Sequence, residues 1–414
     1  MVRLLEKNRS TQMTGERFHS NSNSNKVIAI YLDALQGYGA DVVLLKIANG
    51  LAQRNYAVDL ILSMTAVGNH VSLDPSIRVV DLGGSRFTPI RNVVSLSAYL
   101  KRRRPDNLFS SIHFYYIVAA AALGLSGIQC KLILRQANTL RRQFKDYPIF
   151  VPPILYSLTY WAYKRADLVI SQCTAMVSDL TQFMKVDEEK IKVIYNPTIT
   201  ADIFEKAKAP IRQKWLTEDT QYPVVLAVGR LKLQKDFETL IRAFGKLKAH
   251  YSAHAKLIIL GEGPLRATLE ALATELGIRE DVDFIGFHEN PYAFMSAADV
   301  YVSSSRYEGL PNSLIEALAL GKRVVATACQ GGTVEILKYG QYGKLVPVGN
   351  PDIMAKSIAE ALISPNLARP AATRNFEHES QIHKYCEVFS KVFDQLGDSN
   401  SHLARRPRRY TLTK

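Results

Sequence analysis

The chain has 414 residues, 47% of them hydrophobic and 22% charged, and its formal net charge is +14. This length is more than one hydrophobic core usually fills, so two domains are expected. The composition is ordinary for a soluble globular protein, and the four cysteines lack a Cys-x-x-Cys pair, which argues against a metal site built on thiols. Because they are far apart in sequence, we interpret them as free thiols in a reducing compartment.

The positive charge is concentrated in the first half of the chain. Residues 26–192 hold 20 Lys and Arg against 12 Asp and Glu, whereas residues 193–397 hold 23 of each kind. This asymmetry indicates a partner surface on the first half. No basic motif with interleaved aromatic residues supports a nucleic-acid partner.

The ends of the chain and its longest uncharged run bear on localisation. Residues 1–25 include the polar run HSNSNSN and lack an apolar core, so we expect a disordered lead and no secretory signal. The run YPIFVPPILYSLTYWAY at 147–163 has 17 residues and three prolines, which is short for a membrane-spanning helix. We therefore expect a cytoplasmic protein, soluble or peripheral on the inner face of the plasma membrane.

In the first half, strand-like and helix-like segments alternate. KVIAIYL at 26–32 predicts a strand, DALQGYG at 33–39 a turn, and ADVVLLKIANGLAQRN at 40–55 a helix. YAVDLILSM at 56–64, LVISQC at 168–173 and IKVIYNP at 191–197 predict further strands. Strands that are apolar on both faces and separated by helices predict a parallel sheet covered on both sides.

The same alternation restarts after a polar stretch around residues 200–221. YPVVLAVGR at 222–230, AKLIILGEGP at 255–264, VDFIGF at 282–287, DVYVSSS at 299–305 and KRVVATAC at 322–329 predict strands, and FETLIRAFGKL at 237–247 predicts a helix. Two successive doubly wound α/β domains are expected. The predicted boundaries are a lead at 1–25, domains at 26–200 and 201–374, a helix at 375–397 that returns to the first domain, and a basic tail at 398–414.

Ligands of open parallel sheets bind beyond the carboxyl ends of the strands, where the second half places its unusual residues. Two cations follow its first strand, glycines follow its second, and a Gly-Leu-Pro-Asn turn leads into a helix. A phosphate can bind the first amides of that helix, with the cations supplying positive charge. One glutamate before the helix and one within it are placed to accept hydrogen bonds from hydroxyl groups. A ligand with phosphates between two sets of hydroxyls is a sugar nucleotide. These residues are Arg230, Lys235, Gly261, Gly263, Glu308, Gly309, Leu310, Pro311, Asn312 and Glu316.

The segments VGRLKLQKDFETLIRAF, LGEGPLRATLEALATELGI, VDFIGF through VVAT, and GGTVEI resemble glycosyltransferase family four. The resemblance implies the GT-B fold, in which two Rossmann-like domains face across a cleft, and transfer from a nucleotide-activated sugar with retention, without metal or other cofactor. It implies that Arg230 and Lys235 bind the diphosphate, Glu308 the donor sugar and Glu316 the ribose. It also implies that the main chain at Phe287 and His288 contacts the nucleotide base.

The first half resembles the same family more loosely. GYGADVVLLKIANGLAQRNYAVDLIL is similar to the family's Gly-Gly-Ala-Glu loop and helix, which implies that Gly39 approaches the donor, although Tyr38 replaces a glycine and Asp41 the glutamate. His113 stands where family members often have a histidine near the reaction centre. Arg135 and Asn138 follow a strand and are acceptor-side candidates.

Together these features predict a retaining hexosyltransferase in surface polysaccharide or glycolipid assembly. Its predicted donor is a nucleotide sugar, with UDP as the favoured nucleotide, and its predicted acceptor is a glycan or a lipid-linked sugar. Two alternatives stay open on the same fold: a nucleotide-sugar epimerase and a catalytically inactive sugar-nucleotide-binding module. Two readings stay open for the basic clusters at 101–104, 141–145 and 164–165 and the aromatic run at 147–163. Either the clusters form a solvated face and the run is a core helix, or together they bind an anionic membrane surface.

Overall fold

The computed structural model describes residues 26–32, 34, 39–64, 72–84, 88–111, 113–146, 151–216, 222–364 and 372–403. The predicted lead at 1–25, residue Tyr38 and the end of the predicted tail at 404–414 lie outside these residues. Among the described residues, no helix combines the length and the apolarity that crossing a membrane requires.

Thirteen strands are formed by the described residues. They are β1 Val27–Leu32, β2 Ala57–Leu62, β3 Arg78–Asp81, β4 Asn107–Ser111, β5 Lys131–Gln136, β6 Leu168–Ser171, β7 Ile191–Val193, β8 Val224–Val228, β9 Lys256–Leu260, β10 Val282–Gly286, β11 Val300–Ser303, β12 Arg323–Thr327 and β13 Lys344–Val346. Each predicted strand contains an observed one, although the predicted runs 191–197 and 255–264 extend four residues past its end.

The strands build two sheets with the same winding. The first sheet has the order β3-β2-β1-β4-β5-β6-β7 and the second the order β10-β9-β8-β11-β12-β13. The pairs whose register is known are all parallel, as in β1 with β4 and β8 with β11. In each sheet the direction of winding reverses at one pair, β1 with β4 and β8 with β11, and such a reversal is where doubly wound sheets bind ligands.

Helices connect many of these strands, as parallel pairing requires, and α12 and α13 follow the last strand. They are α1 Ala40–Ala52, α2 Pro89–Arg103, α3 His113–Ser126, α4 Leu140–Gln143, α5 Val151–Arg165, α6 Asp202–Lys206, α7 Phe237–His250, α8 Arg266–Glu275, α9 Pro291–Ala297, α10 Asn312–Ala319, α11 Thr333–Ile336, α12 Pro351–Ile363 and α13 His378–Leu403. Sequence rules explain their ends: Pro351 opens α12, and the Asn350 side chain accepts a hydrogen bond from the Ile353 amide.

The chain divides into two compact units. The first comprises the chain up to Arg135, Ser157–Val169 and the chain from Ile382 onward, and the second comprises Gln136–Tyr156 and Ile170–Gln381. The sequence analysis placed the boundary near residue 200 and returned a helix at 375–397 to the first domain; here the second unit already includes Ile170 onward, and the chain from Ile382 onward belongs to the first unit. One reason is that the segment around Asn196 is hydrogen-bonded to the loop before α10, since the Asn196 amide donates to Asn312 Oδ1 at 2.7 Å.

Both faces of the second sheet are covered by apolar side chains. Alternate residues of β8 and β9 point to opposite faces: Val225 and Leu257 belong to the core on the side of α7, α8 and α12, whereas Leu226 and Ile258 belong to the core with α9 and α10. This burial on both faces explains the continuous apolar runs in the sequence.

Candidate functional site

Three loops of the second unit, after β8, β9 and β10, are joined main chain to main chain. The Gly229 amide donates to Leu260 O at 2.9 Å, and the Gly261 amide donates to Gly286 O at 2.7 Å. Gly261 has φ +140°, and a Cβ atom added there would lie 2.0 Å from the Gly229 carbonyl oxygen. A Cβ atom at Gly263 would lie 2.4 Å from the Leu231 carbonyl oxygen. Glycine is required at both predicted positions because no side chain fits between these backbones.

Lys235 is positioned by a tight turn directly after β8. It ends a 3₁₀ turn, and the next residue, Asp236, is left-handed with φ +50° and only 4% exposed. The Asp236 carboxylate accepts hydrogen bonds from Thr239 Oγ1 at 2.9 Å and Arg306 Nη2 at 3.0 Å. Ser304 Oγ donates to Lys235 O at 2.8 Å. These contacts fix the turn that carries Lys235 against the loop that follows β11.

Lys235 and Glu308 form an ion pair where the winding of the second sheet reverses. Lys235 Nζ lies 2.6 Å from Glu308 Oε1, and the two side chains are 19% and 8% exposed. Ser305 Oγ donates to the same oxygen at 2.6 Å, and Gln234 Nε2 lies 3.5 Å from the other oxygen. The structure therefore joins two predicted site residues that are 73 positions apart in sequence, and it adds Ser305 and Gln234, which the sequence analysis did not identify.

The loop that carries Glu308 is held by its glycines. The Glu308 amide donates to Gln330 O at 2.9 Å, and the Gly332 amide donates to Gly309 O at 2.7 Å. A Cβ atom added at Gly309 would lie 2.2 Å from Ala137 O, and one at Gly331 would lie 2.0 Å from Glu308 O. The predicted residue Gly309 thus serves close backbone packing.

The predicted turn at 309–312 leads into α10 as expected. Pro311 precedes the first helical residue, and its carbonyl accepts hydrogen bonds from the Leu314 and Ile315 amides. The Asn312 Oδ1 atom accepts hydrogen bonds from the Asn196 amide group at 2.7 Å and the Thr198 hydroxyl at 3.1 Å, so this oxygen is engaged within the protein. Leu310 is buried among the apolar residues behind the helix. Leu310 and Asn312 therefore shape this loop.

Glu316 lies half-buried in the second turn of α10. Its Oε1 accepts a hydrogen bond from the Tyr292 hydroxyl of α9 at 3.3 Å. Burial, together with the negative charge of Glu316, raises the pKa of Tyr292, which keeps this hydroxyl protonated as a donor. The Tyr292 hydroxyl therefore orients the Glu316 carboxylate.

Phe287 and His288 follow β10 and are exposed. The His288 Nδ1 atom accepts a hydrogen bond from the Asn290 amide at 3.1 Å, and its ring stacks edge-on to Phe294 with centroids 4.7 Å apart. His288 and Phe294 also line a cavity of about 510 Å³ that Ile285 and residues 210–214 complete. This volume is within the range of small-molecule sites.

The predicted site residues of the first unit are placed differently. Gly39 precedes α1 with φ +39°, and His113 is the first residue of α3. Arg135 is fully buried, and its guanidinium donates to the Tyr385 hydroxyl and to Ser111 Oγ, both at 3.0 Å. The predicted acceptor-side role does not fit Arg135, because its charge is enclosed by side chains of its own unit.

Asn138, the other acceptor-side candidate, belongs to the second unit. Its Cα lies 3.3 Å from the position that a Cβ atom of Gly309 would occupy, so it adjoins the loop that carries Glu308. Its Oδ1 accepts a hydrogen bond from the Thr139 amide at 2.9 Å. The structure therefore brings Asn138 beside Gly309.

Glu335 is a structural residue of this site that sequence reasoning missed. Its carboxylate accepts hydrogen bonds from the Thr174 amide at 2.9 Å, from Thr174 Oγ1 at 2.7 Å and from the Tyr195 hydroxyl at 2.5 Å. It lies in the segment GGTVEI, whose resemblance was noted without a role for its acidic residue. The hydrogen bonds from Thr174 show that Glu335 anchors the segment after β6 to α11.

Among the described residues, no group of three or more His, Cys, Asp and Glu side chains has the geometry of a metal site. The chain contains one Asp-x-Asp triplet, Asp281–Asp283, at the start of β10. Asp281 is ion-paired with Lys248 at 2.8 Å and Lys256 at 2.5 Å, and Asp283 accepts from Gln213 at 3.1 Å. These carboxylates are thus engaged within the protein.

Two family models match the chain. That of the glycosyl transferases group 1 matches residues 208–378, and that of Glycosyltransferase Family 4 matches residues 38–202. A similar protein is the N-acetylgalactosamine-N,N'-diacetylbacillosaminyl-diphospho-undecaprenol 4-alpha-N-acetylgalactosaminyltransferase of Campylobacter jejuni, 31% identical over 245 residues, which cover 59% of this chain and 63% of that protein. LpsE of Rhizobium meliloti, a lipopolysaccharide core biosynthesis glycosyltransferase, is 33% identical over 210 residues, covering 50% and 58%. The chain thus spans about 60% of the length of these two relatives.

Solved structures share the fold. Anabaena HepE in complex with UDP-glucose superimposes with a TM-score of 0.69 at 21% identity, over 88% of this chain and 99% of that chain. WaaG, a glycosyltransferase involved in lipopolysaccharide biosynthesis, has a TM-score of 0.68 at 18% identity, over 87% and 99%. With the two parallel sheets, these likenesses confirm the predicted GT-B fold class. The family models, which together match residues 38–202 and 208–378, show that this chain belongs to the group 1 glycosyltransferases of family 4.

Proposed function

We propose that the chain is a retaining glycosyltransferase. It moves a hexose-type sugar from a nucleoside diphosphate, with UDP as the favoured nucleotide, to a hydroxyl of a glycan or lipid-linked acceptor. The observation that carries the proposal is the Lys235–Glu308 ion pair, which lies where the winding of the second sheet reverses. A cation and a carboxylate at one strand end suit a ligand that carries phosphates next to sugar hydroxyls.

The Campylobacter relative supports the acceptor class, because its name describes a sugar attached to diphospho-undecaprenol. The Anabaena neighbour supports UDP, because it was solved with UDP-glucose. The Rhizobium relative supports a place in surface polysaccharide assembly, because it is a lipopolysaccharide core glycosyltransferase.

In the proposed reaction, the bond between the anomeric carbon and the diphosphate oxygen breaks, and a bond to the acceptor oxygen forms on the same face. The acceptor proton passes to the leaving diphosphate. The cations Lys235 and Arg230 and the first amides of α10 stabilise the negative charge that develops on the diphosphate. Once the diphosphate holds Lys235, the Glu308 carboxylate is released toward a sugar hydroxyl, while Glu316 binds the ribose.

The test is a thermal-shift panel of UDP, GDP, ADP and their sugars on the purified chain. We expect stabilisation selective for one nucleotide, lost in Lys235→Met and kept in the control Lys246→Met, whose lysine ion-pairs with Asp352 and is 42% exposed. An equal loss in both variants, or no shift with any nucleotide, would contradict the donor site.

Product analysis then separates the proposed activity from its two alternatives. Transfer to an acceptor with the anomeric configuration kept supports the proposal. Conversion of the sugar nucleotide without an acceptor would identify an epimerase. Binding without any chemical change, with lipid-linked and free glycan acceptors both supplied, would identify an inactive binding module.

A further inference from the structure

Asp179 is a buried carboxylate of the second unit to which the proposed reaction gives no role. It is 2% exposed and begins a π-helical turn at Asp179–Phe183. Such turns are rare and occur frequently at functional sites. Burial raises the pKa of Asp179, so its negative charge is unfavourable here unless hydrogen-bond donors surround it. The donors around Asp179 therefore identify what this carboxylate holds in place.

The two oxygens of Asp179 bind two segments that are far away in sequence. Oδ2 accepts a hydrogen bond from the Arg141 amide at 3.4 Å, at the start of α4 and 38 positions away. Oδ1 accepts a hydrogen bond from Gln330 Nε2 at 3.3 Å, in the loop after β12 and 151 positions away. Asp179 thus joins the start of α4 to the loop after β12.

The loop that carries Glu308 contacts both of these segments. A Cβ atom at Gly309 would lie 2.2 Å from the carbonyl oxygen of Ala137, which shortly precedes α4. The Glu308 amide donates to Gln330 O at 2.9 Å. Gln330 therefore binds Glu308 through its main chain and Asp179 through its side chain, and all of these residues belong to the second unit.

The π-helical turn has a second attachment that does not involve the carboxylate. The Arg141 guanidinium lies 5.3 Å from the centre of the Phe183 ring. The rings of Phe144 and Phe183 pack edge to face with centroids 5.8 Å apart. Because these contacts keep the turn beside α4, a substitution of Asp179 should release Gln330 while the turn stays in place.

We propose that Asp179 and Gln330 are positioning residues for sugar transfer. The Asp179 carboxylate holds the Gln330 side chain, and the Gln330 main chain holds Glu308 where its carboxylate reaches the donor sugar. Neither Asp179 nor Gln330 needs to touch the ligand. The inference rests on the proposed function, because it takes Glu308 as the residue that faces the sugar.

Two variants break the contact, one from each side. Gln330→Met removes the side-chain donor and keeps the carbonyl that accepts from the Glu308 amide, and Asp179→Leu removes the acceptor at a similar side-chain size. Each should lower kcat for sugar transfer about 30-fold, because a small displacement of a group at the reacting atoms has an effect of this order. The Kd of UDP, measured by calorimetry, should change less than about twofold, because Lys235 and Glu316 are unaltered. The double variant should be about as slow as each single variant, because all three lack the same contact.

A conservative variant and a matched control complete the series. In Asp179→Asn the new amide can donate to the Gln330 side-chain oxygen once that side chain turns over, so most of kcat should return. The control Gln381→Met makes the same change at a buried glutamine of the second unit, whose Nε2 donates to Asn375 O at 2.7 Å. It should keep both kcat and the Kd of UDP. Melting temperatures close to that of the control show that the variants are folded.

A second measurement needs no donor. Cys329 directly precedes Gln330 and is 3% exposed. Release of this segment in Asp179→Leu and Gln330→Met should speed the labelling of Cys329 by iodoacetamide about tenfold over its rate in Gln381→Met. Mass spectrometry of the peptides separates Cys329 from the other cysteines.

Three results would overturn the proposal. The first is a kcat in Asp179→Leu and Gln330→Met equal to that of Gln381→Met. The second is a Kd of UDP that rises as much as kcat falls, which would mean that the two residues support the whole site and not Glu308. The third is labelling of Cys329 at the same rate in every variant. A chain that transfers no sugar would contradict the proposed function, whereas faster Cys329 labelling in the two variants would still support the hold of Asp179 on Gln330.

Discussion

Replacing Lys235 by Met tests the ion pair at the centre of the candidate site. The substitution removes the cation 2.6 Å from Glu308, whose carboxylate is 8% exposed and keeps the Ser305 hydroxyl at 2.6 Å. Breaking a buried pair from one side costs about 3–5 kcal/mol. Because Lys235 is 19% exposed and water reaches the site, we expect a loss of about 2 kcal/mol in the free energy of unfolding.

The companion variant Glu308→Gln should cost less. The amide of glutamine keeps the hydrogen bond from Ser305, and the ammonium left behind reaches solvent more easily than the carboxylate does, so we expect about 1 kcal/mol. In the double variant the two losses should not add, because one interaction is removed in both single variants. We expect a coupling energy of about 1.5 kcal/mol.

The assay is urea unfolding followed by the fluorescence of Trp215, which is 6% exposed in the second unit. The chain contains two tryptophans, so a Trp161→Phe background makes the emission report on the second unit alone. Lys246→Met is the matched control, because its lysine belongs to an exposed pair and should cost less than about 0.5 kcal/mol. A coupling energy below about 0.3 kcal/mol, or an equal loss in the control, would refute the reasoning.

Three further predictions concern single positions. Gly261→Ala should cost about 3 kcal/mol or more, because the new Cβ meets the Gly229 carbonyl, whereas Gly277→Ala, at φ +67° with nothing within 4 Å, should cost about 1 kcal/mol; equal melting temperatures would contradict this. Glu316→Ala should weaken binding of UDP itself, while Glu308→Ala should reduce the rate of sugar transfer more than it reduces UDP binding. Calorimetry measures the binding and a rate assay the transfer. If both variants lose binding and transfer equally, this division of roles is wrong. Burial raises the pKa of the Cys329 thiol to about 11 and that of Cys173 to about 12, so we expect iodoacetamide to label neither at pH 8 until the chain unfolds; fast labelling in the native protein, read by mass spectrometry, would be inconsistent with that burial.

The strands and the start of α10 could be predicted from the sequence because their causes are local. β8 and β9 are continuous apolar runs, as strands covered on both faces must be, and both end in glycines where the backbones meet. The start of α10 after Pro311 follows from the missing amide of proline. The apolar runs and the proline act through neighbours within a few residues, whereas glycine at 261 is required by the Gly229 carbonyl at the end of another strand.

Long-range polar contacts could not be predicted in the same way. Nothing in the spacing of Lys235 and Glu308 indicates that they bind each other, since the contact exists only because β8 and β11 are neighbours in the sheet. Arg135 is an acceptor-side candidate in the sequence because of its place near the end of a strand, yet its partner Tyr385 lies 250 positions later. The anchor at Glu335 was missed for the same reason, because its donors lie at Thr174 and Tyr195.

The main-chain packing around Gly309 has a consequence for hydrogen exchange. Loops that bind ligands usually open easily and lose their amide protons fast. Here the Glu308 amide is bonded to Gln330 O and the Gly332 amide to Gly309 O, and the nearby backbones leave no room for a side chain. The amides of Glu308 and Gly332 should therefore exchange with deuterium as slowly as those of the adjoining strands, although neither residue is in a strand. This loop would then be a rigid platform, whose slow exchange is set by glycines and not by the side chains that face a ligand.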